Sequence, residues 1–240
     1  MLADSSTPSR AGIRTSQSTS TSCLGSLAGR GSGSVTSGSL GPPCEVPTDQ
    51  PVPCDDAAMD GRFGRNSRRV AYENPWITVW HDEVTRPDGN PGIYGVVHFA
   101  NRAVGVVAID HDDRIVLVGQ HRYPLEHESW EIPEGGVAVD EDPVVGAQRE
   151  LREETGLTAT TWHELCRLEM SNSVTDETAV LFVATGLTTG ASDPEPTESI
   201  EVRWVPFDEA LAMILDGRIT DALSVVAIQR VALDRLTARP

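Results

Sequence analysis

The chain has 240 residues, 39% of them hydrophobic, and a formal net charge of -17. That length allows one ordinary domain with an appendage, or two small domains. The acidity speaks against a nucleic-acid or anionic-membrane surface, since both need clustered Lys and Arg.

Residues 1–66 are dominated by Ser, Thr, Gly and Pro and hold few large apolar side chains. Such composition does not offset its ordering entropy, so a disordered tail is expected, followed by a folded domain over 67–240. A transit peptide is a second reading, because Arg10, Arg14 and Arg30 punctuate a Ser-rich, acid-poor stretch. The third is translation from Met59, which leads straight into folded-looking sequence. Cys23, Cys44 and Cys54 fall in this region and only Cys166 in the domain, so no disulfide framework is indicated. A reduced, cytoplasmic setting is the expectation. No apolar run is long enough to span a bilayer.

From Tyr72 the pattern changes. Trp76, Thr78 and Trp80 alternate with Ile77, Val79 and His81, which predicts a strand. Asp88-Gly89-Asn90 is a turn signal, and Ile93 to Phe99 reads as the returning strand. Ala103 to Ile109 and Ile115 to Gln120 flank Asp110 to Asp113 and predict a hairpin. A Gly-rich loop, Pro133 to Gly136, leads into a helix with Asp142 as N-cap, Pro143 at its first position and Gly156 as its stop. Strands follow at His163 to Leu168, Ala179 to Ala184 and Ile200 to Val205, the first two joined by the polar loop Ser171 to Glu177. Helices at about Asp208 to Asp216 and Asp221 to Leu236 close the chain. Strands, a helix, more strands and then helices predict a mixed α/β sheet with helices on its faces.

The first helix carries the chemistry. Val144, Ala147, Leu151 and Thr155 share the side expected to pack on the sheet. Glu150 and Glu154 stack one turn apart on a neighbouring side, Glu153 lies close by, and Arg149 is spaced to pair with Glu153. Bare carboxylates crowded on one turn repel, and hard divalent cations such as Mg²⁺ or Mn²⁺ relieve that repulsion. Taken alone, these residues favour the plainer reading, a solvated acidic helix face with Arg–Glu support.

The flanking spacing decides between the two. Gly135, Glu141, Arg149, Glu150, Leu151, Glu153, Glu154, Gly156 and Leu157 fall at fixed intervals, and the segment resembles the Nudix box at every defining position. The resemblance implies an α/β/α sandwich and hydrolysis of a nucleoside diphosphate linked to another moiety. It implies Glu150 and Glu154 as metal ligands. Glu153 would be a third ligand, a water-mediated one or the base, with Arg149 orienting it. The backbone carbonyl of Glu134 is a further ligand in some members. Gly135 would admit close approach to the metal, and Glu141 would brace loop and helix.

Outside the box, three features resemble the ADP-ribose and nucleotide-sugar branch. The strand pair Trp76 to Val84 and Gly92 to Phe99 is similar to an arm used there for dimerisation and substrate binding, which makes a homodimer one expected arrangement. Gln120 to Pro124 is similar to a basic strand end, where Arg122 would meet phosphate or ribose; a surface charge is the plainer reading. Trp130-Glu131-Ile132-Pro133-Glu134-Gly135 is similar to the branch's entry into the box, with Trp130 and Glu131 as substrate-binding candidates; a core position for Trp130 is equally open. Glu177 is a candidate to assist the attacking water, or a plain loop carboxylate. ADP-ribose pyrophosphatases usually place a proline soon after the box, and here none occurs between Pro143 and Pro194. The expectation is a Mg²⁺-dependent hydrolase of a nucleoside diphosphate sugar, ADP-ribose first. The rivals are a pool-cleaning nucleoside triphosphate pyrophosphatase and a non-hydrolysing nucleotide-sugar sensor.

Overall fold

The computed structural model describes residues 61–191 and 199–238. The low-complexity stretch up to residue 60, Met59 and three of the four cysteines lie outside the described residues. Ten strands and three helices follow in the order β1(Gly64–Glu73), β2(Ile77–Thr85), β3(Pro91–Phe99), β4(Asn101–Ala108), β5(Arg114–Arg122), β6(His127–Glu131), β7(Glu134–Ala138), α1(Pro143–Thr155), β8(Leu157–Glu169), β9(Thr178–Thr189), β10(Glu201–Pro206), α2(Phe207–Leu215) and α3(Ala222–Thr237). No helix among the described residues is long and apolar enough to cross a membrane.

The strands form three sheets. β1-β2-β3 is an antiparallel N-terminal sheet, with β2 and β3 joined by a turn in which Gly89 takes φ 81°. β1 has no counterpart in the sequence reading. Its residues are mostly polar and nearly all exposed, so no apolar alternation marks it; backbone pairing and cross-strand contacts hold it instead. Arg68 reaches across to the buried Asp82, with both hydrogen bonds at 2.7 Å, and its guanidinium lies 3.8 Å from the centre of the Trp80 ring. The other neighbour of Trp80 is His98 of β3, stacked at 4.7 Å.

The central layer consists of a mixed sheet, β7-β4-β9-β8, and an antiparallel sheet, β10-β5-β6. β4 runs parallel to β9 and antiparallel to β7, so both of its edges are occupied. This corrects the predicted hairpin of β4 with β5. The Asp110 turn forms, its side chain accepting from the N–H groups of Asp112 and Arg114, but pairing stops at the single Ile109–Ile115 bridge. Beyond it β5 joins β10 and β6 in the other sheet.

β4 is buried on both faces. Val104, Val106 and Ala108 pack beneath α1 with Ala147, Leu151 and Val180. Val107 and Ile109 pack on the other side with Leu117, Leu181 and residues of α2 and α3, including Met213 and Ile228. The result is the expected α/β/α layering, with α1 on one side and α2 and α3 on the other. The end signals of α1 act as predicted: Asp142 accepts from the Val144 N–H at 3.1 Å, and Gly156 takes the left-handed conformation at φ 71° while donating to Arg152 O.

The Arg68–Asp82 pair gives a test of what holds β1. Hydrogen bonding from Arg68 outweighs burial and keeps the Asp82 carboxyl below its ordinary value of 3.8. A lowered folded value means that the stabilisation is present above the ordinary value and is lost as pH falls through the lower one. Asp82→Asn is expected to speed hydrogen exchange of the β1 amides near neutral pH, by about 1.5–3 kcal/mol in opening free energy. The difference from the unsubstituted protein is expected to shrink as pH is taken below 3.8.

Candidate active site

The site begins with a steric constraint. Helix α1 crosses edge strand β7 so closely that a Cβ at Gly146 would lie 1.8 Å from Cγ1 of Val137. The Gly-rich segment predicted as a loop is itself β7, with Gly135 opposite Val104 and Glu134 opposite Gly105. Gly135 leaves room for the Glu150 carboxylate where it lies: a Cβ there would stand 2.3 Å from Cδ of Glu150 and displace it. The glycine thus seats the Glu150 carboxylate directly on the β7 backbone. One turn on, the buried Glu154 accepts from the Glu134 N–H at 3.1 Å.

Arg149 holds the outer part of the helix. It lies 2.8 Å from Glu150 and 3.1 Å from Glu153, and also donates to Gly136 O at 3.1 Å. Burial works against its charge, but Glu150 and Glu153 outweigh burial and keep the guanidinium firmly protonated. Arg152 adds a second contact to Glu153 at 3.1 Å. Glu141 meets β7 through its backbone, donating to Ala138 O at 3.0 Å.

A cleft of about 440 Å³ opens beside β7, within the range of small-molecule sites. Arg122, Glu134, Gly135, Glu154 and Glu177 all line it. Arg122 stands at the end of β5. Its Nε donates to Glu131 Oε1 at 2.9 Å, its Nη2 also contacts Glu131 Oε2, and a further bond reaches Glu134 at 2.9 Å. Burial opposes the Arg122 charge, yet the two carboxylates raise its pKa above the ordinary value. For Glu134 the balance runs the other way: burial, then Asp221 and Glu131, push its carboxyl well above the usual carboxylate range despite Arg122.

Glu177 arrives on the predicted loop, which lies between β8 and β9. That loop is strapped to β3. Val97 N–H donates to Val174 O at 2.8 Å, Phe99 N–H donates to Asp176 at 3.1 Å, and His98 Nδ1 lies 2.6 Å from the other Asp176 oxygen. Tyr94 adds a hydroxyl bond to Ser173 O. The N-terminal sheet therefore holds the loop that ends at Glu177, and burial pushes the Glu177 carboxyl up.

Two candidates from the sequence fall elsewhere. Trp130 packs over Gly119, where a Cβ would meet its ring at 2.9 Å, and under the Arg203 guanidinium at 4.0 Å; it does not line the cleft. Glu131 is buried behind Arg122 as its anchor. In their place the cleft is walled by Trp76, Phe99, Asn101 and Arg102. Trp76 is 68% exposed and stands just before β2, where Asn74 accepts from its N–H at 2.9 Å. A Trp beside the turn signal Asn74-Pro75 was the available hint that this ring leaves the strand.

The donor set suits a hard divalent cation. Glu150, Glu153 and Glu154 offer only carboxylate oxygens, Glu154 is buried, and Gly135 clears the space that the Glu150 carboxylate fills. Among the described residues, the acidic groups whose ligand atoms lie mutually within 4.8 Å are Glu131/Glu134/Asp221 and the Asp110-His111-Asp112 turn. Arg149 Nη1 instead bridges the Glu150 and Glu153 carboxylates of the box.

Comparison with known proteins agrees with this fold. The sequence profile of the NUDIX domain matches residues 100–223, more than half of the chain. The chain belongs to the Nudix family. Residues 65–97 match the nucleoside diphosphate sugar hydrolase N-terminal domain, which corresponds to β1-β2-β3. A methanol dehydrogenase activator of Bacillus methanolicus is 37% identical over 154 residues, covering 63% of this chain and 83% of that one. An ADP-ribose pyrophosphatase of Mycobacterium tuberculosis is 35% identical over 170 residues, covering 69% and 81%. A crystal structure of an ADP compounds hydrolase shares the fold, with a TM-score of 0.67 at 20% identity over 75% of this chain and 97% of that one.

The steric role of Gly135 is open to test in this Nudix hydrolase. Gly135→Ala is expected to displace the Glu150 carboxylate and weaken Mg²⁺ binding by about 10- to 100-fold, measured by calorimetry. Secondary structure by circular dichroism is expected to be unchanged.

Proposed function

We propose that this Nudix hydrolase is a pyrophosphohydrolase of nucleoside diphosphate sugars, with ADP-ribose as the first substrate, converted to AMP and ribose 5-phosphate. The observation that carries the reading is the shared cleft. Glu154 of the box, Arg122 of β5 and Glu177 of the distal loop face one hollow, and the N-terminal sheet supplies part of its wall. A compact triphosphate pyrophosphatase has no need of that sheet. The match of β1-β2-β3 to a nucleoside diphosphate sugar hydrolase segment, and the ADP-ribose pyrophosphatase of M. tuberculosis as a relative, support the same choice.

Each residue then has a task. Arg122, anchored by Glu131, holds the diphosphate from the β5 side. Trp76 offers an exposed indole at the cleft for the base. Glu150 and Glu154 hold Mg²⁺, or Mn²⁺ in its place, with the Glu134 carbonyl as a further oxygen donor and Glu153 at the margin. That cation, when bound, supplies Lewis acidity toward the diphosphate and the attacking water. Glu177 takes the proton from the water as its oxygen attacks phosphorus and the bridging P–O bond breaks. Burial makes Glu177 a better proton acceptor than an exposed carboxylate. Glu153 is the poorer base, because Arg149 and Arg152 both occupy its oxygens.

The full chain with Mg²⁺ is to be incubated with ADP-ribose, other nucleotide sugars, dinucleoside polyphosphates and nucleoside triphosphates. AMP release from ADP-ribose, lost in Glu154→Gln, is the expected result. Turnover confined to triphosphates overturns the sugar assignment, and binding without any turnover identifies a sensor. Glu177→Gln is expected to lower kcat by about 10²- to 10⁴-fold, and Glu153→Gln by less. Because the Glu177 carboxyl is raised, activity is expected to fall with decreasing pH before its ordinary value of 4.5 is reached. That acid limb is expected to disappear from the residual activity of Glu177→Gln.

A further inference from the structure

Arg122 and Glu134 also line a second hollow, of about 370 Å³, which the hydrolytic scheme does not use. Three carboxylates converge on it from three elements: Glu131 at the end of β6, Glu134 at the start of β7 and Asp221 at the cap of α3. One oxygen of each lies within 4.8 Å of the others. Glu131 is 2% exposed and the Glu134 side chain 10%, so solvent screens their repulsion poorly. The cation that meets them is Arg122, which contacts Glu131 and Glu134. Asp221 is engaged in capping, accepting from the Ser224 N–H at 2.7 Å.

A second observation points to a ligand. Glu134 Oε1 accepts from Arg122, but Glu134 Oε2 is buried with no hydrogen-bond partner. An unpartnered buried carboxylate oxygen is strongly unfavourable, and three carboxylates exceed what one guanidinium neutralises. A hard cation answers both demands, and the Ser129 and Thr220 hydroxyl-bearing side chains line the same hollow. We propose that Glu131, Glu134 and Asp221 form a divalent-cation site separate from the Glu150/Glu154 pair. It uses neither Glu150 nor Glu153, and it stands whether or not the chain hydrolyses nucleotide sugars.

Mn²⁺ binding to the full chain, counted by electron paramagnetic resonance titration, tests the proposal without reference to activity. The double variant E150Q/E154Q is expected to retain one bound Mn²⁺ per chain. Adding Asp221→Asn and Glu134→Gln to it is expected to weaken that ion at least about tenfold. Asn remains a good N-cap, so α3 is expected to keep its start. If the double variant proves unfolded by circular dichroism, Asp221→Asn alone decides, because it is expected to remove one Mn²⁺ from the total bound by the otherwise unaltered protein. An unchanged total in Asp221→Asn, a folded double variant that binds no Mn²⁺, or a retained ion indifferent to both added substitutions overturns the proposal.

Discussion

The approach of α1 to β7 is the constraint on which the site depends. A helix carrying side chains at every position stands away from a sheet by the thickness of its contact residues. Here Gly146 removes that thickness over Val137, and Gly135 removes it under the Glu150 carboxylate. The carboxylate therefore sits on strand backbone, and one turn further Glu154 takes the Glu134 N–H. The ends of α1 fix its register: the Asp142 cap and Pro143 set where it begins, and Gly156 in the left-handed conformation sets where it stops. Two glycines and two caps thus convert a charged helix into a rigid rack of carboxylates.

Charge is distributed around that rack by two arginines with different duties. Arg149 bridges Glu150 and Glu153 on the helix. Arg122 sits on the other side, tied to Glu131 and Glu134, and reaches both hollows. Neither guanidinium neutralises its neighbourhood.

The N-terminal sheet completes the cleft from the outside. Its third strand straps the loop that delivers Glu177, through His98, Phe99 and the backbone of Val97 to Asp176 and Val174. Its Trp76 and Phe99 form part of the wall. The sheet buries little apolar surface of its own, and the Arg68–Trp80–His98 stack with the Arg68–Asp82 pair does the work of a core. The Nudix domain and the N-terminal sheet therefore meet through the loop between β8 and β9.

The sequence by itself determined α1, its caps and the box, because a helix converts spacing into geometry through local hydrogen bonds alone. Glu150, Glu153, Glu154 and Arg149 were legible for that reason, Gly135 and the α/β/α sandwich through the resemblance to the Nudix box, and a mixed sheet with helices on its faces from the order of the elements. What the tertiary structure alone decided were matters of distant pairing. Whether β4 turns back on β5 depended on β7 and β9 occupying both of its edges. Whether β1 exists at all depended on backbone bonds to β2 that a polar sequence does not advertise. Trp76 enters the cleft while Trp130 packs over Gly119, although both are aromatic residues beside motif-like segments. Asp221 joins Glu131 and Glu134 across some ninety positions of chain. No local propensity encodes such meetings; they follow from how sheets stack and where helix ends fall on them.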